Sequence, residues 1–173
     1  AYEIELRCDS FPLNRFLPAD SLGLLDLALQ AGGSGFDPLR AQTRGNIRLQ
    51  VDRAEFRGRD FGGVELNANL EGGQLSGRLS DRDEALRLLL LVSGTLTERK
   101  QEVRLTGNVF DFDLAELGIS PQKIGGSFAL EAGASASDAG SYTARIALDS
   151  IEVRTRHRTD RIRPTSLSLS SDT

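Results

Sequence analysis

The residues able to do chemistry are few. His157 is the single histidine, and it sits among arginines in RTRHR (154–158). It has no second histidine with which to share a metal, and it is far in sequence from Cys8. Cys8 is the single cysteine, so no internal disulfide can form. Following YEIELR, it reads as a small buried hydrophobe or an exposed bystander. Two groups of carboxylates stand close together, Asp81 with Asp83 and Glu84, and Asp111 with Asp113. Such sets can move protons or bind calcium through oxygen ligands. Neither has the glycine and downstream glutamate of a calcium loop. Asp81 to Glu84 read as a turn, and Asp113 as a cap. AGGSGFDP (31–38) has the glycines of a phosphate loop but no lysine-serine pair and no helix opening after it, so it reads as a bend. Aromatics are 6% of the chain, and no Lys/Arg-Gly-Phe strand motif offers bases a stacking platform. No catalytic residue, cofactor or metal site is expected, and no nucleic-acid partner. A calcium-dependent or carbohydrate-directed enzyme built on Asp81 and Asp83 is kept as a distant alternative.

With chemistry this thin, the elements themselves carry the argument. The 173 residues are 39% hydrophobic and 27% charged, with a net charge of -4, a foldable composition without the basic excess of a nucleic-acid binder. There are no methionines, and Ala1 is read as a cut end inside a longer polypeptide, treated as one segment from 1 to 173. The longest strictly apolar run, Leu88 to Val92, is far short of the roughly 18 residues of a membrane-spanning helix.

The period is two almost everywhere. Ile47, Leu49 and Val51 alternate with Arg48 and Gln50; Val64, Leu66, Ala68 and Leu70 alternate with Glu65, Asn67 and Asn69. The same alternation runs through 103–109, 128–135, 142–149 and 167–170. It predicts half-buried strands, dry on one face and wet on the other. Short connections make them antiparallel; Gly72-Gly73 and Asp138-Ala139-Gly140 are hairpin turns. About ten strands are expected. Helix is scarce. FPLNRFL (11–17), closed by Pro18, predicts a short helix or turn, DLAELG (113–118) a capped turn of helix, and DRDEALRL (81–88) a helical start. The arginines of 154–163 read as a solvated edge that discourages edge-to-edge pairing, or as a contact for lipid headgroups or acidic partners.

Strands of this kind present a long dry surface, and something must cover it. A second sheet would make a closed sandwich. A bilayer would make a barrel, but the aromatic girdles of barrels are missing from a chain with no tryptophan and two tyrosines. The third possibility is one curved antiparallel sheet forming an elongated hydrophobic groove, lined by aliphatic side chains and filled by an acyl chain. The lining expected from the alternation begins at Leu49, Val51, Val64, Leu66, Leu70, Leu75 and Leu79. It continues through Leu88, Leu90, Val92, Val103, Leu105 and Val109, and ends with Phe128, Leu130, Ile146 and Leu148. In the run from Leu88 to Val92 both faces are apolar, so either could line the groove.

FPLNRFLPADSLGLLDLALQAGGSGFDPL (11–39), AEFRGRDFGGVELNANLEGGQLSGRLSDRDEALRLLLLVSGTL (54–96), VRLTGNVFDFDLAELGIS (103–120) and the ending RIRPTSLSLSSDT together resemble TamB-like proteins of the AsmA-like superfamily, especially their Bacteroidetes branch. The resemblance implies an all-β "taco" with a hydrophobic groove and one or two short helical turns, in a long periplasmic protein anchored in the inner membrane. It implies an outer-membrane partner of the Omp85 (TamA-like) class, and a role in phospholipid transport between membranes and in outer-membrane protein assembly. The alternative is a closed β-sandwich serving as a structural or protein-binding module of the cell envelope.

Overall fold

The computed structural model describes residues 1–15, 22–137 and 140–171. The chain runs β1 (Tyr2–Pro12), β2 (Leu22–Ser34), β3 (Arg44–Phe56), β4 (Arg59–Phe61), β5 (Val64–Glu71), β6 (Gln74–Arg82), β7 (Leu86–Leu96), β8 (Lys100–Asp113), β9 (Gly125–Ser137), β10 (Tyr142–Arg154), β11 (Thr159–Ile162) and β12 (Thr165–Ser171). All twelve strands belong to one antiparallel sheet, ordered β1-β2-β3-β5-β6-β7-β8-β9-β10-β11. β4 pairs with β3 beyond the start of β5, and β12 shares the outer edge of β10 with β11. The sheet is open, with β1 at one edge and β11 and β12 at the other.

Alternation decides which residues become strands. β5 (VELNANLE) is half-buried and exposed at strictly alternating positions. Gly72 and Gly73 join β5 to β6 with φ of 58° and 75°, the left-handed geometry of a tight hairpin that glycine adopts without steric cost. Of the turn expected at 138–140, Asp138 and Ala139 lie outside the described residues; Gly140 has φ 83°.

Two of the three helical expectations are corrected. DRDEALRL is the end of β6, a turn and the start of β7, because Asp81 and Asp83 turn their carboxylates onto backbone N–H groups of the turn. DLAELG is a hydrogen-bonded turn, not a helix. The Leu117 N–H reaches the Asp113 carbonyl at 2.9 Å, and Gly118, at φ 69°, ends the turn there. Asp113 does act as the expected cap, accepting from the N–H of Ala115 at 2.9 Å and of Glu116 at 3.3 Å. In FPLNRFL, Leu13–Arg15 form one 3-10 turn, while Phe16, Leu17 and Pro18 lie outside the described residues.

The two ends of the sheet differ. Register shifts fall between Cys8 and Phe11 in β1, near the start of β2, at Arg87/Leu88 in β7, at Val109/Phe112 in β8 and at Asp149/Glu152 in β10. Because neighbours alternate in direction, all of these lie at one end, here called the bulged end. Ser10 and Ser150 sit in two of the shifts with φ of 53° and 51°. Their N–H groups donate to the Asp26 and Asp149 carboxylates, which hold the strained backbone in place. Bulges bend a strand and sharpen its twist, so curvature is built in at this end. At the other end β5–β6 and β7–β8 close in short hairpins, while residues 35–43 join β2 to β3.

Candidate apolar binding face

Strand pairing places all seventeen expected lining residues on one face of the sheet. Directly opposed residues share a face, and the rows can be followed across it. One runs Leu6–Leu29–Leu49–Leu66–Leu79–Leu90–Gly107–Leu130–Leu148 from β1 to β10. The next runs Ile4–Ala31–Ile47–Ala68–Gly77–Val92–Leu105–Ala132–Ile146–Leu167, reaching β12. Val51 pairs with Val64, Leu70 with Leu75, Val103 with Ala134, and Val109 with both Leu88 and Phe128. Leu88, Leu90 and Val92 are therefore the members of their run that belong here, while Leu89 and Leu91 face the other way.

The rows are not all side chain. A Cβ on Gly107 would stand 2.1 Å from the Leu89 carbonyl oxygen, so the leucine row dips there. A Cβ on Gly77 would stand 2.7 Å from Val92 Cγ1, so Val92 fills that place.

The face is half-exposed along most of its length. Ile47 keeps 46% of its surface and Ile146 49%, and no large side chain among the described residues is fully buried. Burial concentrates at the bulged end, in Ser80, Asp81, Ala85 and Val109. There the connections interlock. The Gly62 N–H donates to Asp83 Oδ2 at 3.1 Å, the Asp113 N–H donates to the Ala85 carbonyl at 3.0 Å, and Leu114 donates to Ile124 at 2.8 Å. Arg57 and Arg59, in and after the β3–β4 turn, donate to the carbonyls of Gly118 and Glu116, each at 2.9 Å. A chain of polar contacts thus links β4, the β6–β7 turn and the β8–β9 connection. Phe112 and Phe128 meet edge to face nearby, with ring centroids 6.2 Å apart. No alternation signal marks Arg57, Arg59 or Glu116 in the sequence, since they act from turns.

Asp81 lies on the apolar side of β6 opposite Leu88 and is 8% exposed. Burial pushes its carboxyl above the ordinary carboxylate range, and the N–H of Asp83, at 2.9 Å, partly offsets this. Asp81 and Asp83 thus serve their own turn. No group of three or more metal-ligating side chains occurs among the described residues. His157 is exposed in the β10–β11 turn, and Cys8 is half-buried in β1 opposite Leu27. In AGGSGFDP the chain leaves β2 at Ser34 and turns at Gly35, φ 77°; Phe36 stacks on Tyr2 at 5.1 Å.

The opposite, polar face carries the hollows. An open depression of about 710 Å3 spans β7 to β12 over Leu89, Leu91, Asn108, Glu131, Arg145 and Ala147. Others of about 400 Å3 and 570 Å3 lie over Arg104, Ser135 and Thr143, and over Arg48, Asn67 and Arg78. Members of the aliphatic rows, among them Leu130, Leu148 and Ile47, also contribute to their linings, and sequence alternation gives no sign of these dips. No helix among the described residues is long and apolar enough to cross a membrane. Comparison with known protein families, curated proteins and solved structures finds no match to the chain.

Proposed function

We propose that this chain is a segment of a TamB-like periplasmic protein whose apolar sheet face, curved into a trough, holds the acyl chains of phospholipids in transit between inner and outer membranes. One observation carries the reading: aliphatic rows, interrupted only at Gly77 and Gly107, cross the sheet, and among the described residues no second layer lies over them. Fully burying one such side chain stabilises by roughly 1.5–3 kcal/mol, so a half-exposed face this wide leaves much burial unrealised until a guest arrives. Large exposed apolar patches mark interaction sites, and a lining of leucine, isoleucine, valine and alanine makes no polar demand on its guest. The mechanism is passive. Aliphatic side chains replace bilayer around the tails, headgroups stay in water at the rim, and no bond is made or broken. In this reading the full-length protein is anchored in the inner membrane and meets an Omp85-class (TamA-like) partner at the outer membrane through other parts of its chain, which also serves outer-membrane protein assembly. Mass spectrometry of the protein purified from a Gram-negative envelope tests it. Co-purifying phospholipid is the expected result; a lipid-free protein that also fails to take up lipid from vesicles would overturn the proposal.

A further inference from the structure

On the polar face, β3, β5 and β6 bring two arginines to either side of an asparagine. Arg48 pairs directly with Asn67, and Asn67 with Arg78. Directly opposed residues share a face. Neighbouring strands lie about 4.8 Å apart, so the two arginine Cα atoms stand about 10 Å from each other with Asn67 between them. The adjoining row sets Asn46 opposite Asn69, and Asn69 opposite Ser76. Both rows border the hollow of about 570 Å3. The three strands lie inside the sheet, with β2 on one side and β7 on the other.

This cluster lacks the carboxylates that other arginines of β3 meet. Arg44 pairs with Glu71 at 3.5 Å, and Arg53 with Asp60 at 2.8 Å. Arg48 instead donates from Nε to Asn67 Oδ1 at 3.1 Å, which leaves both of its Nη groups free to donate and the Asn67 amide nitrogen as a further donor. Arg78 has no hydrogen-bond or salt-bridge partner among the described residues. The other two hollows of this face have Glu131 in their linings, with Asp149 in one and Glu102 in the other. This one is lined by no acid; Glu5, opposite Gln30, and Glu65, two residues from Asn67, stay outside it.

We infer that Arg48 and Arg78 hold a phosphate group over Asn67, and that the ligand carrying it is hydroxylated. A carboxylate presents both oxygens along one edge, and a single arginine fork uses them up. A tetrahedral phosphate keeps oxygens for a second guanidinium arriving from the other side. Asn46, Asn69 and Ser76 can each donate and accept, which suits the hydroxyls of a sugar or polyol. A soluble sugar phosphate and a polyol phospholipid headgroup share this chemistry. The site lies on the face opposite the aliphatic rows and does not rest on those rows holding acyl chains.

Calorimetric titration with glucose 6-phosphate, inorganic phosphate and glucose, and flotation with vesicles containing phosphatidylglycerol, test it. The expected result is saturable binding of glucose 6-phosphate, of the vesicles or of both, and none of glucose. Binding of vesicles alone places the phosphate in a headgroup, and binding of glucose 6-phosphate alone places it in a soluble ligand. Arg48→Gln and Arg78→Gln should each weaken the binding about ten-fold or more, with circular dichroism confirming the fold. Asn67→Ala should weaken it several-fold by freeing the Arg48 side chain. Arg104→Gln, at an exposed arginine of β8 on the same face, should leave it unchanged. No saturable binding to either probe, or an equal loss in Arg104→Gln, would overturn the inference. So would binding that survives both Arg48→Gln and Arg78→Gln; vesicle binding of that kind belongs to the apolar face, and this site alone fails. Inorganic phosphate bound as tightly as glucose 6-phosphate would overturn the part given to the amides and Ser76.

Discussion

Arg59 and Glu116, fifty-seven residues apart, meet with Arg59 Nη1 2.7 Å from Glu116 Oε2, although β5, β6 and β7 separate their strands in the sheet. The same nitrogen donates to the Glu116 carbonyl, and Arg57 binds the Gly118 carbonyl beside it. The β3–β4 turn thereby holds the β8–β9 connection across the end of the sheet.

The carboxylate arm of that contact is largely exposed, at 45% and 57%, and exposed pairs contribute about 0–1 kcal/mol. Glu116→Gln is therefore expected to change global stability little. Arg57→Ala with Arg59→Ala removes the carbonyl contacts as well. Hydrogen exchange should then quicken at residues 114–118 while the leucine row keeps its protection; uniform loss of protection would show that the contact supports the whole sheet.

Leu66→Asp and Leu105→Asp each place a charge in the middle of an aliphatic row. Because the face is half-exposed, destabilisation of about 1–3 kcal/mol with unchanged circular dichroism is expected. Phospholipid retained through purification should fall several-fold. A variant that stays folded and keeps its lipid would remove the face from the lipid site.

Asp81 gives a pH signature. Its carboxyl is raised in the folded chain, so folding favours the protonated form. The stability it contributes is fully present below the unfolded value near 3.8 and is lost as pH rises through the raised folded value. Asp81→Asn is isosteric and still accepts from Asp83, so it should raise the melting temperature at neutral pH. The advantage should shrink and vanish as the buffer is taken below the ordinary carboxylate range. Calorimetry across that window reads the difference, and a constant gap at all pH values would contradict the burial argument. Calcium should shift neither protein's melting temperature.

Gly107→Ala forces a methyl to within 2.1 Å of the Leu89 carbonyl oxygen unless the strands part. A loss of about 1–3 kcal/mol in denaturant melts is expected, against about 0.5–1 kcal/mol for Ala134→Gly in the neighbouring strand, where only glycine's extra backbone freedom is added and no clash is made.

Alternation is a local property, and what it controls was legible. Strand pairing follows the pattern of Val64–Leu66–Leu70 and Leu75–Leu79 because a slip of one residue would invert both faces at once. The run from Leu88 to Val92 is ambiguous in sequence, and only the partners of β7 settle it. Leu90 faces Leu79 and Gly107 on the apolar side, while Leu91 faces Arg78 and Thr106 on the other. DLAELG carried a true cap at Asp113, but too few residues followed for a helix, since nucleation costs more than one turn returns. The arginine contacts at the bulged end, the division of β10's edge between β11 and β12, and the hollows of the polar face all depend on distances set by the whole sheet, and no short stretch encodes them.

Each main strand bonds to the strands just before and after it in the chain, so the sheet has no long-range crossover to disturb. A hairpin could be duplicated or deleted without rerouting anything, and strand direction would be preserved because hairpins come in twos. Each such event would lengthen or shorten the apolar face by about 10 Å. The architecture is therefore one whose reach across the sheet can be tuned in discrete steps.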